Sequence, residues 1–163
     1  LVYYTYDIQE GDTPEIVASK YYGDSYRYWI VLFSNELLDP QWDWPMGSVQ
    51  FNNYVNDKYS ALNFDPYTTT KSYRKVITQT NVQTGETITN KVEMTQQEYD
   101  SFLNYSKTLT FPSETLSVTV EKQIQSYYDY EVEQNESKRS IKLLNKIYVN
   151  QIEREFQTLV NNK

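Results

Sequence analysis

The amino-acid sequence predicts an α+β protein in which a small strand-helix-helix unit precedes a β-hairpin-rich region and a C-terminal amphipathic helix. Tyr4, Tyr6 and Ile8 recur at every second residue, the period of a half-buried strand. Tyr73–Val82 and Glu86–Met94 flank Thr84-Gly85 as the two arms of a hairpin would. Val149, Ile152, Phe156 and Leu159 step by 3, 4 and 3, the stripe of an amphipathic helix.

The elements follow in order. After strand Tyr3–Ile8 comes a turn at Gly11. Thr13 offers its hydroxyl as a helix cap, and Pro14 suits the first helical position, where an N–H would lack a partner anyway. Gly23 ends that helix. A second helix is expected from Asp24 or Ser25, with Tyr26, Trp29, Ile30 and Phe33 forming one inward stripe and Asn35 as its stop. Phe51, Tyr54, Val55 and Tyr59 recur at helical spacing after Ser48, so residues 49–59 read as a third helix. Residues 60–71, with Asp65-Pro66 and a threonine run, read as a connection. In the hairpin Val76, Thr78 and Thr80 share one side, and Gly85 supplies the positive φ of the turn. Thr95-Gln96-Gln97-Glu98 is a capping box that opens a short helix with Tyr99, Phe102 and Leu103 inward. From Leu116 to Val132 the pattern is that of a strand. Asn135-Glu136 reads as a turn, Ser140–Leu144 as a short apolar strand, and residues 146–160 as the last helix. There is no internal repeat and no long linker. Two regions are expected, residues 1–62 and 63–163.

Composition narrows the chemistry. A chain of 163 residues is near the size of one domain and can bury a real core. Its formal charge of −7 argues against a binder of phosphate backbones, which needs clustered Lys and Arg, so no nucleic-acid partner is expected. The absence of Cys and His removes thiolate and imidazole nucleophile systems, the HExxH zinc motif and most transition-metal sites. No cofactor and no metal are therefore expected. No apolar run approaches the roughly 20 residues that span a bilayer, and no basic segment followed by an apolar one opens the sequence. The chain reads as soluble with no membrane partner, and Leu1 in place of Met leaves room for preceding residues. The 17 Tyr, 6 Phe and 3 Trp are either core filling or contact surface, because Tyr combines large area with a polar handle.

Tyr6-x-Ile8-x-x-Gly11-Asp12-Thr13, Ile16-Val17-Ala18, Tyr21-Tyr22-Gly23, Trp29, Asn35, Asp39-Pro40 and Trp44-Pro45-Met46-Gly47 together resemble the LysM module, a strand-helix-helix-strand unit. Such a unit would place its second strand at about Ser48–Phe51, where this sequence is helical. Strand Tyr3–Ile8 must then pair with a later strand or with a neighbouring subunit. The same stretch, with Tyr28-Trp29, the Phe51-to-Tyr59 segment, and Tyr130-Glu131 through Asn135-Glu136 and Lys138-Arg139 to Ile141, resembles the LysM-containing baseplate wedge subunit of T4-like contractile-tailed bacteriophages. The likeness covers both ends of the chain, and residues 60–125 share only general character. It implies a structural virion protein, not an enzyme, that joins neighbouring wedge proteins around the central hub. Implied partners are other baseplate wedge proteins and sheath-proximal or hub proteins. The implied place is the tail baseplate, after assembly in the host cytoplasm. No catalytic residues carry over. The alternative is a peptidoglycan- or chitin-binding LysM module, in which Gly11–Thr13 and the Leu37–Pro40 loop would flank a glycan groove. The helical pattern after Ser48 speaks against glycan binding.

Other constellations carry less. Asp129, Glu131 and Glu133 alternate and would share a strand face, but no calcium-binding loop surrounds them. Lys138-Arg139 is a local match for that acidic stretch. The 22 Asp and Glu single out no pair for glycoside hydrolysis. Exposed aromatic and apolar residues are the contact candidates: Tyr3 and Tyr4 on the first strand, and Val149, Ile152, Phe156 and Leu159 on the last helix.

Overall fold

The computed structural model describes residues 2–161. The architecture is α+β, with a β-hairpin-rich region and a C-terminal helix. The chain divides into two compact units, one of Leu1–Tyr54 with Glu133–Lys163 and one of Val55–Val132. The division expected at residues 62 and 63 differs from this partition, because the last strand and helix return to the first unit.

In the first unit, strand β1 (Tyr3–Asp7) pairs antiparallel with β6 (Ser140–Leu144), Tyr6 opposite Ile141 and Tyr4 opposite Leu143. The sequence left the partner of β1 open between a later strand and another subunit; the later strand is the partner. Helices α1 (Pro14–Tyr22) and α2 (Tyr28–Ser34) complete the layer over it. Thr13 caps α1 by accepting from the Ile16 N–H, and Gly23 ends it at φ +74°. Ile8, Val17, Ala18, Tyr22, Ile30, Val31, Trp44, Ile141, Leu143, Leu144 and Val149 form one buried apolar cluster. Each large aliphatic side chain so buried contributes about 1.5–3 kcal/mol of transfer free energy.

The stripe expected on the second helix is corrected. Asp24 caps a 3-10 turn, Ser25–Arg27, which precedes α2 and winds three residues per turn. The phase shifts, so Ile30 and Val31 face inward while Tyr26 and Phe33 are exposed. Short helix α3 (Pro40–Asp43) is capped by Asp39, and α4 (Ser48–Ser60) is helical, as the spacing over residues 49–59 predicts. A 3-10 turn over Lys146–Tyr148 leads into α7 (Val149–Asn161).

The second unit is a four-stranded antiparallel sheet in the order β3-β2-β5-β4, formed by β2 (Thr70–Asn81), β3 (Thr87–Met94), β4 (Tyr105–Thr110) and β5 (Thr115–Ser126). The β2–β3 turn places Gly85 at φ +73°, and Asn81 Oδ1 accepts from the N–H groups of Gln83 and Thr84. The register puts Tyr73 and Ile77 of β2 on the same face as Ile88 and Val92 of β3, Val118, Val120 and Ile124 of β5, and Tyr105 of β4. Arg74, Val76, Thr78 and Thr80 share the opposite, polar face with Thr89, Lys91, Thr119 and Gln123. Helix α5 (Gln96–Ser101) opens with the expected capping box and sets Tyr99 against Tyr73, ring centroids 4.9 Å apart. Leu103, expected inward, lies past the end of that helix and is exposed.

Residues 127–132, expected to extend a strand, are helical. Helix α6 (Tyr127–Glu136) starts where Ser126 and Asp129 bond reciprocally, the Asp129 carboxylate accepting from the Ser126 N–H and hydroxyl and Ser126 Oγ accepting from the Asp129 N–H. On a helix, Asp129 and Glu133 share a side and Glu131 points away from them, so the shared acidic strand face does not exist. Asn135-Glu136 closes this helix instead of forming a separate turn.

Candidate functional site

Gly11-Asp12-Thr13 forms a strand-to-helix turn whose polar groups are turned inward. Gly11 sits at φ +82°, a conformation that L side chains rarely adopt. The buried Asp12 carboxylate accepts from the Tyr6 hydroxyl at 2.7 Å and the Gln9 N–H at 3.1 Å, and pairs with Lys20 Nζ at 2.5 Å. Burial alone would push its pKa up, but the Lys20 ammonium, the Tyr6 hydroxyl and the Gln9 N–H outweigh this and hold it below the usual aspartate range. Its hydrogen bond to that carboxylate, reinforced by burial and by the negative charge, pushes the Tyr6 phenol up to about 12. Trp44 Nε1 donates to the Asp12 carbonyl at 2.8 Å, and Trp44 and Pro45 are buried. Asp39 accepts from the Gln41 N–H ahead of which Pro40 starts α3, while Asp43 accepts from the N–H groups of Leu38 and Asp39. These motif residues hold the turns in place, and beside them Glu10 accepts from the Ser48 N–H and hydroxyl at 2.7 and 2.8 Å and faces Arg139 at 3.7 Å.

Asn35 does more than stop α2. Its side-chain amide donates to the carbonyls of Val31 and Lys142, both at 2.8 Å, and its Oδ1 accepts from the Lys142 N–H at 2.7 Å. Asn135 likewise clasps both main-chain groups of Met46, at 2.7 and 3.0 Å. No local sequence pattern announces either long-range clasp, since Lys142 lies 107 positions from Asn35 and Met46 lies 89 from Asn135. In the second unit, buried Glu131 accepts from the Tyr59 hydroxyl at 2.6 Å and pairs with Lys58 at 2.7 Å. The Ser126-x-x-Asp129 pattern was readable as a helix start and would have placed Glu131 correctly.

The contact candidates divide. Val149 is buried in the core and Ile152 is half-buried, so they anchor α7, helped by the Arg27–Glu153 ion pair at 2.8 Å. Tyr3, Tyr4, Phe156 and Leu159 are exposed. Trp29, half-buried, stacks on Phe156 with ring centroids 4.9 Å apart and planes 28° apart. Around this pair, Tyr3, Leu32, Phe33 and Leu38 line an open groove of about 730 Å³. Phe33 and Leu38 are 73% and 93% exposed, so the groove is a broad apolar surface and not an enclosed cavity. Among the described residues no three metal-ligating side chains are grouped, and no helix is long and apolar enough to cross a membrane.

A folded scaffold whose notable surface is apolar and aromatic has the make-up of a structural protein that works by contact. The family comparison agrees. Over residues 2–159 the chain matches the family of base plate wedge protein 53, and it belongs to that family. No curated protein matches it. Family membership gives the chain a structural role in the phage tail baseplate, in contact with other baseplate proteins. The glycan-binding alternative gains no support from this match.

Proposed function

We propose that this chain joins neighbouring wedge proteins within the baseplate, acting by adhesion and without catalysis. The observation that carries this reading is the apolar surface of the first unit, where Phe33, Leu38, Phe156 and Leu159 are all exposed around or beside the Trp29–Phe156 stack. Soluble monomers seldom leave such side chains together in water, and aromatic anchors dominate binding energy where partners meet. The sheet of the second unit adds Ile88, Val92, Tyr105 and Ile124, which are exposed on one face. On this reading the partners are other wedge proteins with sheath-proximal or hub proteins, met during assembly in the host cytoplasm. The LysM-like motif residues Tyr6, Gly11, Asp12, Thr13, Asn35, Asp39, Pro40, Trp44 and Pro45 serve the scaffold, and Trp29 serves the contact surface.

Deleting α7 would take Val149 out of the core, so point substitutions test the surface better. The full chain, as wild type or as Phe156→Glu with Leu159→Glu, is mixed with the other wedge proteins of the same phage and followed by sedimentation. The double variant is expected to keep its circular dichroism and lose incorporation by about tenfold or more, the equivalent of 1.4 kcal/mol. Incorporation at the wild-type level would overturn the assignment of this surface.

A further inference from the structure

The two-stranded sheet of the first unit has two edges, and they are finished differently. The Ile8 N–H donates to the Arg139 carbonyl at 2.9 Å and the Asn145 N–H to the Val2 carbonyl at 2.8 Å. With Tyr4 opposite Leu143 and Tyr6 opposite Ile141, antiparallel alternation turns the main-chain groups of Val2, Tyr4, Tyr6 and Ile8 toward β6. The groups of Tyr3, Thr5 and Asp7 on β1, and of Lys142 and Leu144 on β6, therefore point away from the partner strand.

On β6 three of these four outward groups are occupied. Asn35 takes both the N–H and the carbonyl of Lys142, as a neighbouring strand would, and the Tyr22 hydroxyl donates to the Leu144 carbonyl at 3.1 Å. On β1 the Asp7 carbonyl accepts from Gln9 Nε2 at 2.6 Å. Among the described residues nothing else bonds outward from β1, so the N–H groups of Tyr3, Thr5 and Asp7 and the carbonyls of Tyr3 and Thr5 stay open. Tyr3, Thr5 and Asp7 are exposed. Donors and acceptors repeating every second residue, about 6.8 Å apart, match the backbone of an extended strand. The outer strands of the second unit's sheet carry the charges that discourage such pairing, Lys91 and Glu93 on β3 and Lys107 on β4, whereas β1 has only Asp7 at its end.

We propose that the open edge of β1 accepts an extended segment of a neighbouring baseplate protein as a third strand. The inference rests on the joining role above and supplies the form of one contact. Asp7, on a chain of net charge −7, favours a segment that places Lys or Arg beside it, with apolar or aromatic residues beside Tyr3.

Amide hydrogen exchange on the full chain, free and within a wedge assembled from the other wedge proteins of the phage, reads this directly. The amides of Tyr3, Thr5 and Asp7 should exchange fast in the free chain and slow by about 100-fold or more in the wedge, while those of Tyr4, Tyr6 and Lys142 are protected in both. Unchanged exchange at the three positions, in a wedge that contains the chain, overturns strand addition and leaves the joining role standing. A wild-type chain that never enters the wedge defeats the joining role and this contact with it. Protection already present in the chain alone, with the mass of a dimer, would show that a second copy is the occupant and overturn the proposal. Thr5→Pro removes an outward N–H without touching a bond to β6, a place where an edge strand tolerates proline. It should lower incorporation by about tenfold while Thr5→Val does not; if the proline variant fails to fold, the exchange of the wild-type chain decides.

Discussion

The first unit packs a two-stranded sheet under two helices around a continuous apolar cluster running from Ile8 to Val149, whereas the second spreads four strands into a single sheet. In the second unit the buried apolar side chains are chiefly Val55, Tyr59, Val118 and Val120, and Arg74, Gln125 and Glu131 are buried among polar partners. The first unit therefore derives its stability from side-chain burial, and the second derives more of its order from strand ladders and paired polar groups. Surface is distributed accordingly. The closed unit leaves its exposed apolar side chains around one groove and its open main-chain groups on one strand edge, while the open sheet leaves Ile88, Val92, Tyr105 and Ile124 of its apolar face in water.

Replacing a large, fully enclosed side chain tests this contrast most strongly. Leu143 is 1% exposed on β6, at the centre of the cluster. Leu143→Ala should cost about 2–5 kcal/mol, the transfer of the lost methyl groups plus the cavity left behind. Urea unfolding of the full chain followed by tryptophan fluorescence reports on the first unit, because Trp29, Trp42 and Trp44 all lie there. A loss below about 1 kcal/mol would mean that the cluster is loosely packed and that the two units do not differ as described.

A smaller effect comes from the polar anchor of the same unit. Tyr6→Phe removes the hydroxyl that donates to Asp12, at a cost of about 1 kcal/mol near neutral pH. The pH dependence has two limbs. The Tyr6 pKa is raised to about 12, so the stability it contributes is complete below its unfolded value near 10 and is lost as pH rises toward 12. The Asp12 pKa is lowered, so its contribution is present above the ordinary aspartate value near 4 and is lost as pH falls below it. Tyr6→Phe should abolish the alkaline limb at this site and leave an acid limb. Thermal melts from pH 8 to 11 check it, and identical alkaline losses in both proteins would show that the Tyr6–Asp12 bond is not what stabilises the turn.

The sequence made local devices legible. Thr13, Pro14 and Gly23 announce α1, Thr95 and Glu98 announce α5, and Gly85 announces the hairpin, because caps and turns depend on neighbours within four residues. Where a cap or a tight turn cut across the pattern, periodicity misled. The 3-10 turn at Ser25–Arg27 changed which residues of α2 face inward, since a three-residue turn and a 3.6-residue helix do not share a stripe. Alternation through Val132 imitated a strand, although the Ser126–Asp129 pair stops β5 and starts α6. The candidate surface was half legible. Phe156 and Leu159 were visible as a stripe, but the bidentate hold of Asn35 on β6 joins residues 107 positions apart, and nothing local encodes it.

The smallest expected effect separates contact from stability most cleanly. Ile88 lies on edge strand β3, on the apolar face, opposite Gln79, and is 55% exposed. Ile88→Thr keeps a β-branched side chain, so strand geometry is retained and only apolar surface is removed. In the free chain the change should stay within about 0.5 kcal/mol, as for a surface position away from caps and core. If the sheet face is a contact surface, the same substitution should lower incorporation into the wedge, because a side chain that is half in water alone becomes enclosed on docking. Paired urea titration and sedimentation of the same preparation distinguish the cases. A large loss of stability in the free chain would mean that the face is already covered within the second unit, and the division between a closed unit and an open one would have to be redrawn around β3.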